Sequence, residues 1–319
     1  MSTTNGVLRL SIPEPHMIFA TPDRGKGPDR ATGGKPSARP LRISGENVGM
    51  EKGGAAMRNG VVVDIGGSGT RIGAVVDGNV VGVHGAEVAT AEDLATAVLA
   101  VDRSPAGVGV SLNGHVDADR GRVVLSRAAA WAEGDLRTEL VSLIDAPVSV
   151  IGDGDAHALA LTRLPDVEFG GIAISLGSSL AFGALNHHGA LIHPCGHTGW
   201  DLGHWRIVGD GTNTEAWWGL GGHGLYDLER EHGDGAAEIY AYRLGSFLVD
   251  AVQLFRPRTV LLTGGIVVGL GEALHGPVAE QLQSLPISVP TPRVVYSPSR
   301  DTALFGAAVA AGLALPEMR

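Results

Sequence analysis

The sequence predicts an α/β fold, because short apolar runs typical of buried strands alternate with segments of helical periodicity. Strand, glycine-rich turn and strand follow one another at residues 61 to 76 and again at 171 to 185, and a third apolar run at 259 to 262 leads into two glycines. Apolar residues recur every three or four positions at residues 91 to 102, 136 to 144, 156 to 164 and 236 to 255, which predicts helices there. This alternation is typical of α/β architecture.

The first strand-turn-strand unit, VVVDIGGSGTRIGAVV, places an Asp directly before a glycine-rich turn. Glycines permit positive φ and leave room for an oxyanion, and successive backbone N–H groups in such a turn form an anion-binding concavity. Asp64 could hold Mg²⁺ through water, because that ion keeps several waters and takes one or two carboxylates plus phosphate oxygens. The predicted phosphate-binding residues are Gly66, Gly67, Ser68, Gly69, Thr70 and Arg71. The alternative is a plain tight hairpin in which Asp64 satisfies local amides.

Two other phosphate motifs do not fit this turn. A Rossmann fingerprint requires a helix after the glycines, whereas RIGAVVDG is typical of a strand followed by a turn. A P-loop requires a Lys, and the last Lys of the chain is Lys52. Any phosphate at this turn is therefore expected to contact backbone amides, hydroxyls, a metal ion and Arg71.

Composition and charge indicate a soluble enzyme. The chain has 319 residues, is 44% apolar and carries a formal net charge of −10, which allows a sizeable core. Residues 59 to 319 hold 15 Lys and Arg against 29 Asp and Glu, and an acidic body argues against nucleic-acid binding. Cys195 is the only cysteine, which excludes an intrachain disulfide or a multi-cysteine zinc cluster and suits a cytoplasmic location.

No membrane association is expected from the sequence. No apolar run reaches the roughly 20 residues that span a bilayer, and the N-terminus lacks the apolar core of a signal peptide. Residues 1 to 58 contain a long stretch rich in Gly, Pro and charge, which cannot bury enough apolar surface to order itself. We predict a disordered N-terminal tail over residues 1 to 58, with Met50 and Met57 as alternative start positions.

Four motifs, in order and spacing, resemble the ROK family of sugar kinases and related regulators, within the superfamily of sugar kinases, heat-shock chaperone ATPases and actin. They are DIGGSGTR at 64 to 71, SLGSSLAFGAL at 175 to 185, FRPRTVLLTGGI at 255 to 266 and LFGAAVAAGL at 304 to 313. The resemblance covers nearly all of residues 60 to 315. It implies a two-lobed actin-like ATPase (ribonuclease H-like) fold with the active site in the interlobe cleft.

The resemblance also implies the domain organisation and the cofactors. The N-terminal lobe would span residues 59 to 165 and the C-terminal lobe residues 166 to 319, with the last helix packing back toward the N-terminal lobe. ATP and Mg²⁺ would bind between the lobes, and a homodimer is the oligomer seen in many ROK proteins. The further ATP-binding residues are Gly177, Ser178 and Ser179 in the second turn, and Gly264 and Gly265 after the third apolar run.

The predicted catalytic residue lies in PVSVIGDGDAHALAL, residues 147 to 161. A strand ends there and a helix begins, so Asp153 and Asp155 lie at a strand-to-helix junction. Alignment with the family places its general base on Asp153, which would accept a proton from the attacking sugar hydroxyl. Asp155 is the alternative base and is otherwise predicted to bind substrate, although Asp is also a favoured helix N-cap. The family's Asn before the base is replaced by Gly152.

The acceptor side departs from the family. Asp201 and His204 stand in an Asp-x-Gly-His motif where ROK kinases have Glu-x-Gly-His, and Asp227 replaces a further Glu. The family's zinc-binding cysteines fall on Trp218, Leu220 and Leu225, which predicts that no structural zinc is bound. Asn113 and Gly114 replace a Pro-Gly turn and are predicted to reach the ligand, while Ala129 stands where the family supplies an Asn to glucose.

These replacements predict an altered acceptor, because a site built to bind a hydroxyl discriminates strongly against analogues that lack it. We predict an ATP-dependent kinase acting on a hydroxyl, with a primary hydroxyl favoured, of a hexose, an aminosugar or a sugar-like cyclitol, as in antibiotic-pathway kinases of this type. Alternatives are a polyphosphate glucokinase and a non-catalytic sugar-binding protein. A ROK repressor is disfavoured, since the first 58 residues lack a helix-turn-helix pattern.

Overall fold

The computed structural model describes residues 59–164, 170–194, 198–209 and 212–313. These residues all fall within one compact unit. The predicted tail at residues 1 to 58, Cys195 and the predicted lobe boundary at residues 165 and 166 lie outside the described residues.

The first half of the described chain forms seven strands and three helices. In chain order they are β1 (Gly60–Gly66), β2 (Gly69–Val76), β3 (Asn79–Ala86), α1 (Ala91–Val101), β4 (Val108–Leu112), β5 (His115–Asp117), β6 (Arg122–Leu125), α2 (Leu136–Ile144), β7 (Val148–Gly152) and α3 (Asp153–Ala160). Five of the strands form one sheet in the order β3-β2-β1-β4-β7. Strands β1 to β3 are antiparallel, and β4 and β7 join β1 in parallel.

The second half forms the remaining strands and helices. They are β8 (Gly171–Leu176), β9 (Leu180–Leu185), β10 (Arg206–Gly209), β11 (Thr212–Glu215), α4 (Ala216–Gly219), α5 (Gly222–His232), α6 (Ala236–Phe255), β12 (Thr259–Thr263), α7 (Gly265–Leu270), α8 (His275–Leu282), β13 (Arg293–Tyr296) and α9 (Thr302–Ala310). The second sheet has the order β13-β12-β8-β9, and β10 pairs with β11 separately. Within the described part of the chain, no helix is long and apolar enough to cross a membrane.

Each sheet has its own apolar core. Strand β1 is buried along almost its whole length, as expected for a β-branched run in the middle of a sheet, and α1 and α2 cover this sheet with their apolar faces. The core of the second sheet includes the buried face of α6, with Leu244 and Leu248, and α8 packs against α6 through Val278 and Leu282. The predicted helices at residues 91 to 102, 136 to 144 and 236 to 255 correspond to α1, α2 and α6 within one residue.

Helix α3 differs from its prediction, because it begins at Asp153 rather than at Ala156 and its N-cap is Gly152. The segment Gly152-Asp153-Gly154 has the composition of a loop, yet two carboxylates in the first turn stabilise a helix through its dipole. Neither Asp153 nor Asp155 is therefore the N-cap; both lie within the first helical turn.

Helix α3 packs between the two sheets through glycine contacts. A Cβ added at Gly154 would lie 2.1 Å from the carbonyl oxygen of Phe182 on β9. On the other side, a Cβ at Gly306 of α9 would lie 1.7 Å from the carbonyl oxygen of Ala156. Helix α9 in turn lies on the first sheet, where a Cβ at Gly109 of β4 would lie 2.2 Å from the carbonyl oxygen of Ala307. These close approaches place the first turn of α3 where the two sheets meet.

Candidate active site

A cavity of about 200 Å³ opens beside the first turn of α3. Its polar wall carries three carboxylates and three basic side chains, namely Asp153, Asp155, Asp201, His115, Arg127 and His204. Its apolar wall is formed by Leu125, Leu180, Phe182, Trp200 and Trp217. Such a combination of aromatic surface with a few convergent polar groups is typical of a small-molecule site.

Most of the predicted acceptor-site residues come together in this cavity. Those that line it are Asn113, Gly114, Asp153, Asp155, Asp201 and His204. The predicted residue Asp227 does not line it. The lining residues that were not predicted from the sequence include three polar or aromatic side chains, His115, Arg127 and Trp217, because only the fold brings β5, the loop after β6 and α4 to the cavity.

Asp153 is held by two hydrogen bonds at the start of α3. Its Oδ2 accepts from Nδ2 of Asn113 at 2.7 Å, and its Oδ1 accepts from the backbone N–H of Gly154 at 2.9 Å. Burial raises the pKa of Asp153 to about 7, with smaller contributions from the nearby charges of Asp64 and Asp155, while the Asn113 hydrogen bond opposes the rise. A carboxyl group with a pKa near neutrality can accept a proton at physiological pH.

Asp155 is fully buried and forms a pair with a histidine that was not predicted. Nε2 of His193 lies 2.9 Å from Oδ2 of Asp155, and this hydrogen bond raises the pKa of His193 above its usual value. Oδ1 of Asp155 is buried and has no hydrogen-bond partner among the residues that the structure describes. A buried carboxylate oxygen without a partner is costly, so a donor group of a ligand in the cavity would satisfy it.

Asp201 lies between two imidazoles at the cavity mouth. Its Oδ2 is 3.5 Å from Nε2 of His115 and 3.7 Å from Nε2 of His204. The other ring nitrogen of His204, Nδ1, lies 3.5 Å from Oε2 of Glu215, which also accepts from the indole N–H of Trp217 at 2.6 Å. That indole hydrogen bond is the main reason that the pKa of Glu215 is lowered.

The structure places Asp227 in a different cavity. This residue lies on α5 and lines a second cavity of about 170 Å³ together with Trp218 and Glu231. Glu215, not Asp227, is the carboxylate beside His204. Asp227 was assigned to the acceptor from the spacing of glycines along the sequence. That spacing does not fix the orientation of α4 and α5 relative to the cavity.

The position that would supply an Asn to glucose also lies elsewhere. Ala129 is 1% exposed and packs in the core of the first sheet. Its backbone N–H donates to Oγ of Ser126 at 3.0 Å, and it does not line the cavity.

The positions of the family's zinc ligands are apolar here. Leu220 and Leu225 are buried in the core of the second sheet, and the ring of Trp218 stacks on that of His223 with centroids 4.8 Å apart. The two leucines fill this space by packing, as their residue types predict, whereas Trp218 is 36% exposed and lines the second cavity. Among the described residues, no group of three His, Cys, Asp or Glu side chains is arranged to hold a metal ion.

The two glycine-rich turns face each other, one at the end of a hairpin in the first sheet and the other at the end of a hairpin in the second. A Cβ added at Gly67, between β1 and β2, would lie 2.6 Å from Oγ of Ser178, between β8 and β9. The second turn is closed by a hydrogen bond from the N–H of Gly177 to the carbonyl oxygen of Ser179 at 3.0 Å. The two predicted phosphate turns therefore approach each other closely enough to contact one small anionic group together.

The third predicted nucleotide element adjoins the second turn. Gly264 has a φ of +99°, which favours glycine, and a Cβ there would lie 2.4 Å from the carbonyl oxygen of Leu176 at the end of β8. Gly265 follows as the first residue of α7, and no atom within 4 Å would meet a Cβ added there. All three predicted glycine elements thus lie at the same edge of the two sheets.

Asp64, near the end of β1, has a side chain that is 12% exposed, and both of its carboxylate oxygens have partners in the protein. Oδ2 lies 2.6 Å from Nη2 of Arg71 on the paired strand, and Oδ1 accepts from Oγ of Ser111 at 3.1 Å. Nη1 of Arg71 donates to Asp301, at the start of α9, at 2.9 Å. Arg71 thus joins two carboxylates, and the second, Asp301, was not predicted.

The carboxylate of Asp64 suits a Mg²⁺ ion whose other ligands are nucleotide phosphates and water. A carboxylate has about four lone-pair positions, so Asp64 can contact a metal-bound water while it keeps Arg71 and Ser111. Mg²⁺ needs only one or two protein carboxylates when phosphates and waters supply the other ligands.

No family model matches the sequence. Solved structures with the same fold include a ROK-family glucokinase from Streptomyces griseus in complex with glucose and AMPPNP, which is 21% identical with a TM-score of 0.64 over 80% of this chain and 99% of that one. A ROK hexokinase from Thermus thermophilus is 22% identical with a TM-score of 0.61 over 80% and 98% of the two chains.

A third neighbour is an inorganic polyphosphate/ATP-glucomannokinase from Arthrobacter sp. strain KM. It is 25% identical, with a TM-score of 0.57, and the match covers 79% of this chain and 97% of that one. Together these neighbours confirm the resemblance to the ROK sugar kinases and the predicted two-lobed actin-like α/β fold.

Proposed function

We propose that this chain, which has the fold of the ROK sugar kinases, is an ATP-dependent kinase that phosphorylates a hydroxyl of a sugar or sugar-like acceptor. The observation that carries the proposal is the environment of Asp153. Its carboxyl group lines the cavity, has a pKa of about 7 and lies close enough to Asp64, directly before the first glycine-rich turn, for the two charges to interact. A base between an acceptor cavity and a phosphate site is what phosphoryl transfer to a hydroxyl requires.

In this reaction Asp153 acts as the general base. It takes the proton of the acceptor hydroxyl as that oxygen forms a bond to the γ-phosphorus, and the bond between the γ-phosphorus and the bridging oxygen of ADP breaks in line. Each oxygen of Asp153 accepts one N–H of the protein, and a carboxylate oxygen retains a further lone pair for the proton.

The opposed glycine turns bind the phosphates. Backbone N–H groups at Gly66 to Gly69, Ser178 and Ser179, with the hydroxyls of Ser68, Thr70 and Ser178, would surround the β- and γ-phosphates, and Gly264 and Gly265 would contact the rest of the nucleotide. The N–H of Gly177 closes the second turn instead, through its hydrogen bond to Ser179. Mg²⁺, held through water by Asp64, would neutralise charge on the transferring group. Arg71 orients Asp64 through their 2.6 Å contact.

The acceptor lies in the cavity of about 200 Å³. Hydroxyl groups would meet Asp155, Asp201, His204 and the turn at Asn113 and Gly114, whereas the apolar face of the ring would lie on Phe182 or Trp200. A hexose, an aminosugar or a sugar-like cyclitol fits this combination. The number of carboxylates at the cavity favours an acceptor with many donor groups, including a protonated amine.

A coupled assay of ADP release tests the proposal. The purified full chain is screened with ATP and Mg²⁺ against glucose, fructose, N-acetyl sugars, 3-amino-3-deoxyglucose and seven-carbon cyclitols. We expect turnover with at least one acceptor, and we expect Asp153→Asn to lower kcat by roughly three powers of ten, the order for a general base with positioning. Near-normal turnover of Asp153→Asn would remove Asp153 from the mechanism.

Polyphosphate is tested as a separate donor, because the neighbour with 25% identity is a polyphosphate/ATP-glucomannokinase. The acidic body without Lys after Lys52 disfavours a long polyanion, so we expect ATP to be preferred. If no pair of donor and acceptor gives turnover, a non-catalytic sugar-binding protein becomes the better interpretation. Light scattering on the same preparation tests the homodimer that the resemblance implies.

A further inference from the structure

Asn113 follows β4 and directs its side chain at the proposed base. Its Nδ2 donates to Oδ2 of Asp153 at 2.7 Å, across forty positions of sequence. The backbone of Asn113 is held from both sides: its N–H donates to the carbonyl oxygen of Ile65 at 2.8 Å, and its carbonyl oxygen accepts from Oγ of Ser126 at 2.7 Å.

The residue after Asn113 removes the remaining freedom of this turn. Gly114 has a φ of +151°, and a Cβ there would lie 2.3 Å from the carbonyl oxygen of Leu125. The amide of Asn113 therefore reaches Asp153 from a backbone that is fixed to β1 on one side and to the loop after β6 on the other. A side chain supported in this way can fix the orientation of its partner with little loss of entropy on binding a ligand.

We propose that Asn113 is a positioning residue for the phosphoryl transfer, holding one oxygen of Asp153 so that the carboxylate faces the acceptor hydroxyl in its ionised form. This inference rests on the proposed function. An amide N–H can only donate a hydrogen bond, so it stabilises the ionised carboxylate over the protonated acid. Proline or alanine at this position would leave Oδ2 of Asp153 without this donor.

The electrostatic surroundings explain why such a donor matters. Burial and the charges of Asp64 and Asp155 all raise the pKa of Asp153, and the hydrogen bond from Asn113 is the largest influence that lowers it. The other titratable or charged groups around the cavity and α3 are His115, Arg127, His157, His193, Asp201 and His204. His157, one turn further along α3, is kept neutral because burial lowers its pKa to about 4.

The test compares Asn113→Ala and Asn113→Asp with the wild-type full chain. Asn113→Asp keeps the shape of the side chain but replaces the N–H donor with a carboxylate oxygen, which can only accept. It serves as the second variant if Asn113→Ala folds poorly. Asn79→Ala is the matched control, since within the described part of the chain the Asn79 amide donates to the carbonyl oxygen of Asp77 in an exposed turn, far from Asp153. The first readout is the pH at which the Asp153 carboxyl is half-titrated, measured by ¹³C NMR. The carboxyl signal of Asp153 is identified as the one that disappears in the Asp153→Asn variant.

The second readout is the pH dependence of kcat/KM for the best acceptor. In Asn113→Ala we expect the titration midpoint and the acid limb of the pH profile to move upward together by about one pH unit, the size expected for one hydrogen bond to a carboxylate. At high pH, where Asp153 is ionised in both proteins, we expect kcat/KM to remain about tenfold lower because the orientation is lost. Asn79→Ala should change neither readout.

Two results would overturn the inference. Wild-type turnover with an unmoved midpoint and an unmoved acid limb in both Asn113 variants would remove Asn113 from the mechanism while leaving the proposed function intact. A moved midpoint in a chain that phosphorylates no acceptor would overturn the proposed function, and the contact between Asn113 and Asp153 would then be structural only.

Discussion

Nε2 of His193 lies 2.9 Å from Oδ2 of Asp155, which is fully buried beside the proposed acceptor site. Asp155 sits in the first turn of α3, and His193 lies in the loop after β9, so the pair links the helix that carries the proposed base to the second sheet. Removing one partner of a buried pair leaves the other charge without compensation. The pair is therefore expected to stabilise the fold as well as to shape the site.

The first prediction concerns the stability of this pair. His193→Ala should lower the free energy of unfolding by about 3 kcal/mol at pH 6. Because the pKa of His193 is raised in the folded state, its contribution is complete below the unfolded pKa of about 6.5 and is lost as pH rises through the folded pKa. The difference from wild type should thus shrink by pH 9.

Urea denaturation at pH 6 and pH 9 measures this difference. His188→Ala is the control, because His188 is exposed in the same loop. An equal loss of stability at both pH values would mean that the charge of His193 does not contribute.

The second prediction is that the charge of Asp153 lowers the free energy of unfolding. The pKa of Asp153 rises from 3.8 to about 7 on folding, so the folded state binds more protons between these values and wild-type stability falls as pH rises from about 4 to 7. Asp153→Asn carries no charge and should be more stable than wild type at pH 8, by an amount on the order of a few kcal/mol.

Denaturant unfolding of both proteins at pH 5 and pH 8 checks this prediction, with a larger gain expected at pH 8. This measurement is independent of any enzymatic activity. An Asp153→Asn variant that is less stable than wild type at pH 8 would contradict the raised pKa.

The third prediction concerns the contact between the two phosphate turns. Gly67→Ala places a methyl group 2.6 Å from the position of Oγ of Ser178, so either the Ser178 hydroxyl rotates away from its place in the turn or the two turns separate. We expect kcat/KM for ATP to fall by about tenfold to a hundredfold, since a displacement near 1 Å in a positioning element has effects of this order.

The double variant Gly67→Ala/Ser178→Gly removes the clashing hydroxyl and should recover part of this loss. Gly276→Ala is the control, because nothing lies within 4 Å of a Cβ added there. If the double variant is no better than Gly67→Ala alone, contact between the turns is not the cause of the loss.

The fourth prediction separates the two carboxylates that the family pattern assigns to the acceptor. Asp201→Asn should raise the KM for the acceptor by at least about tenfold, the order expected when a carboxylate loses charge-assisted hydrogen bonds to a ligand. Asp227→Asn should leave this KM within about twofold, because Asp227 lines the other cavity.

Steady-state kinetics with the acceptor found in the screen measures both values. A strong effect of Asp227→Asn, with Asp201→Asn unaffected, would reverse the assignment of the two residues and would mean that the acceptor extends toward α5.

The local elements of this fold could be predicted because their signals are local. Helical periodicity gave α1, α2 and α6 within one residue of the observed bounds, and the glycine composition of residues 66 to 69 gave the turn between β1 and β2. The beginning of α3 could not be predicted in this way, since Gly152 and Gly154 have low helix propensity. Packing of Gly154 against β9 overrides that preference.

The partners of the proposed site residues could not be predicted. Asn113 and Asp153 were both expected near the ligand, yet nothing in their sequence surroundings indicates that one donates to the other. His193 and Glu215 carry no motif of their own, and only the chain path through β9, β10 and β11 brings them beside Asp155 and His204.

The sequence by itself determined the α/β class, the two glycine-rich turns that we propose bind phosphate, and the position of a carboxylate at a strand-to-helix junction. These features depend on periodicity and turn chemistry within a few residues, which a single stretch of chain contains. The tertiary structure decided which side chains meet at the cavity, including the pairing of Asn113 with Asp153 and the exclusion of Asp227. The physical reason is that α3 packs between two sheets through glycine contacts, so the geometry of the site depends on surfaces that are distant in sequence.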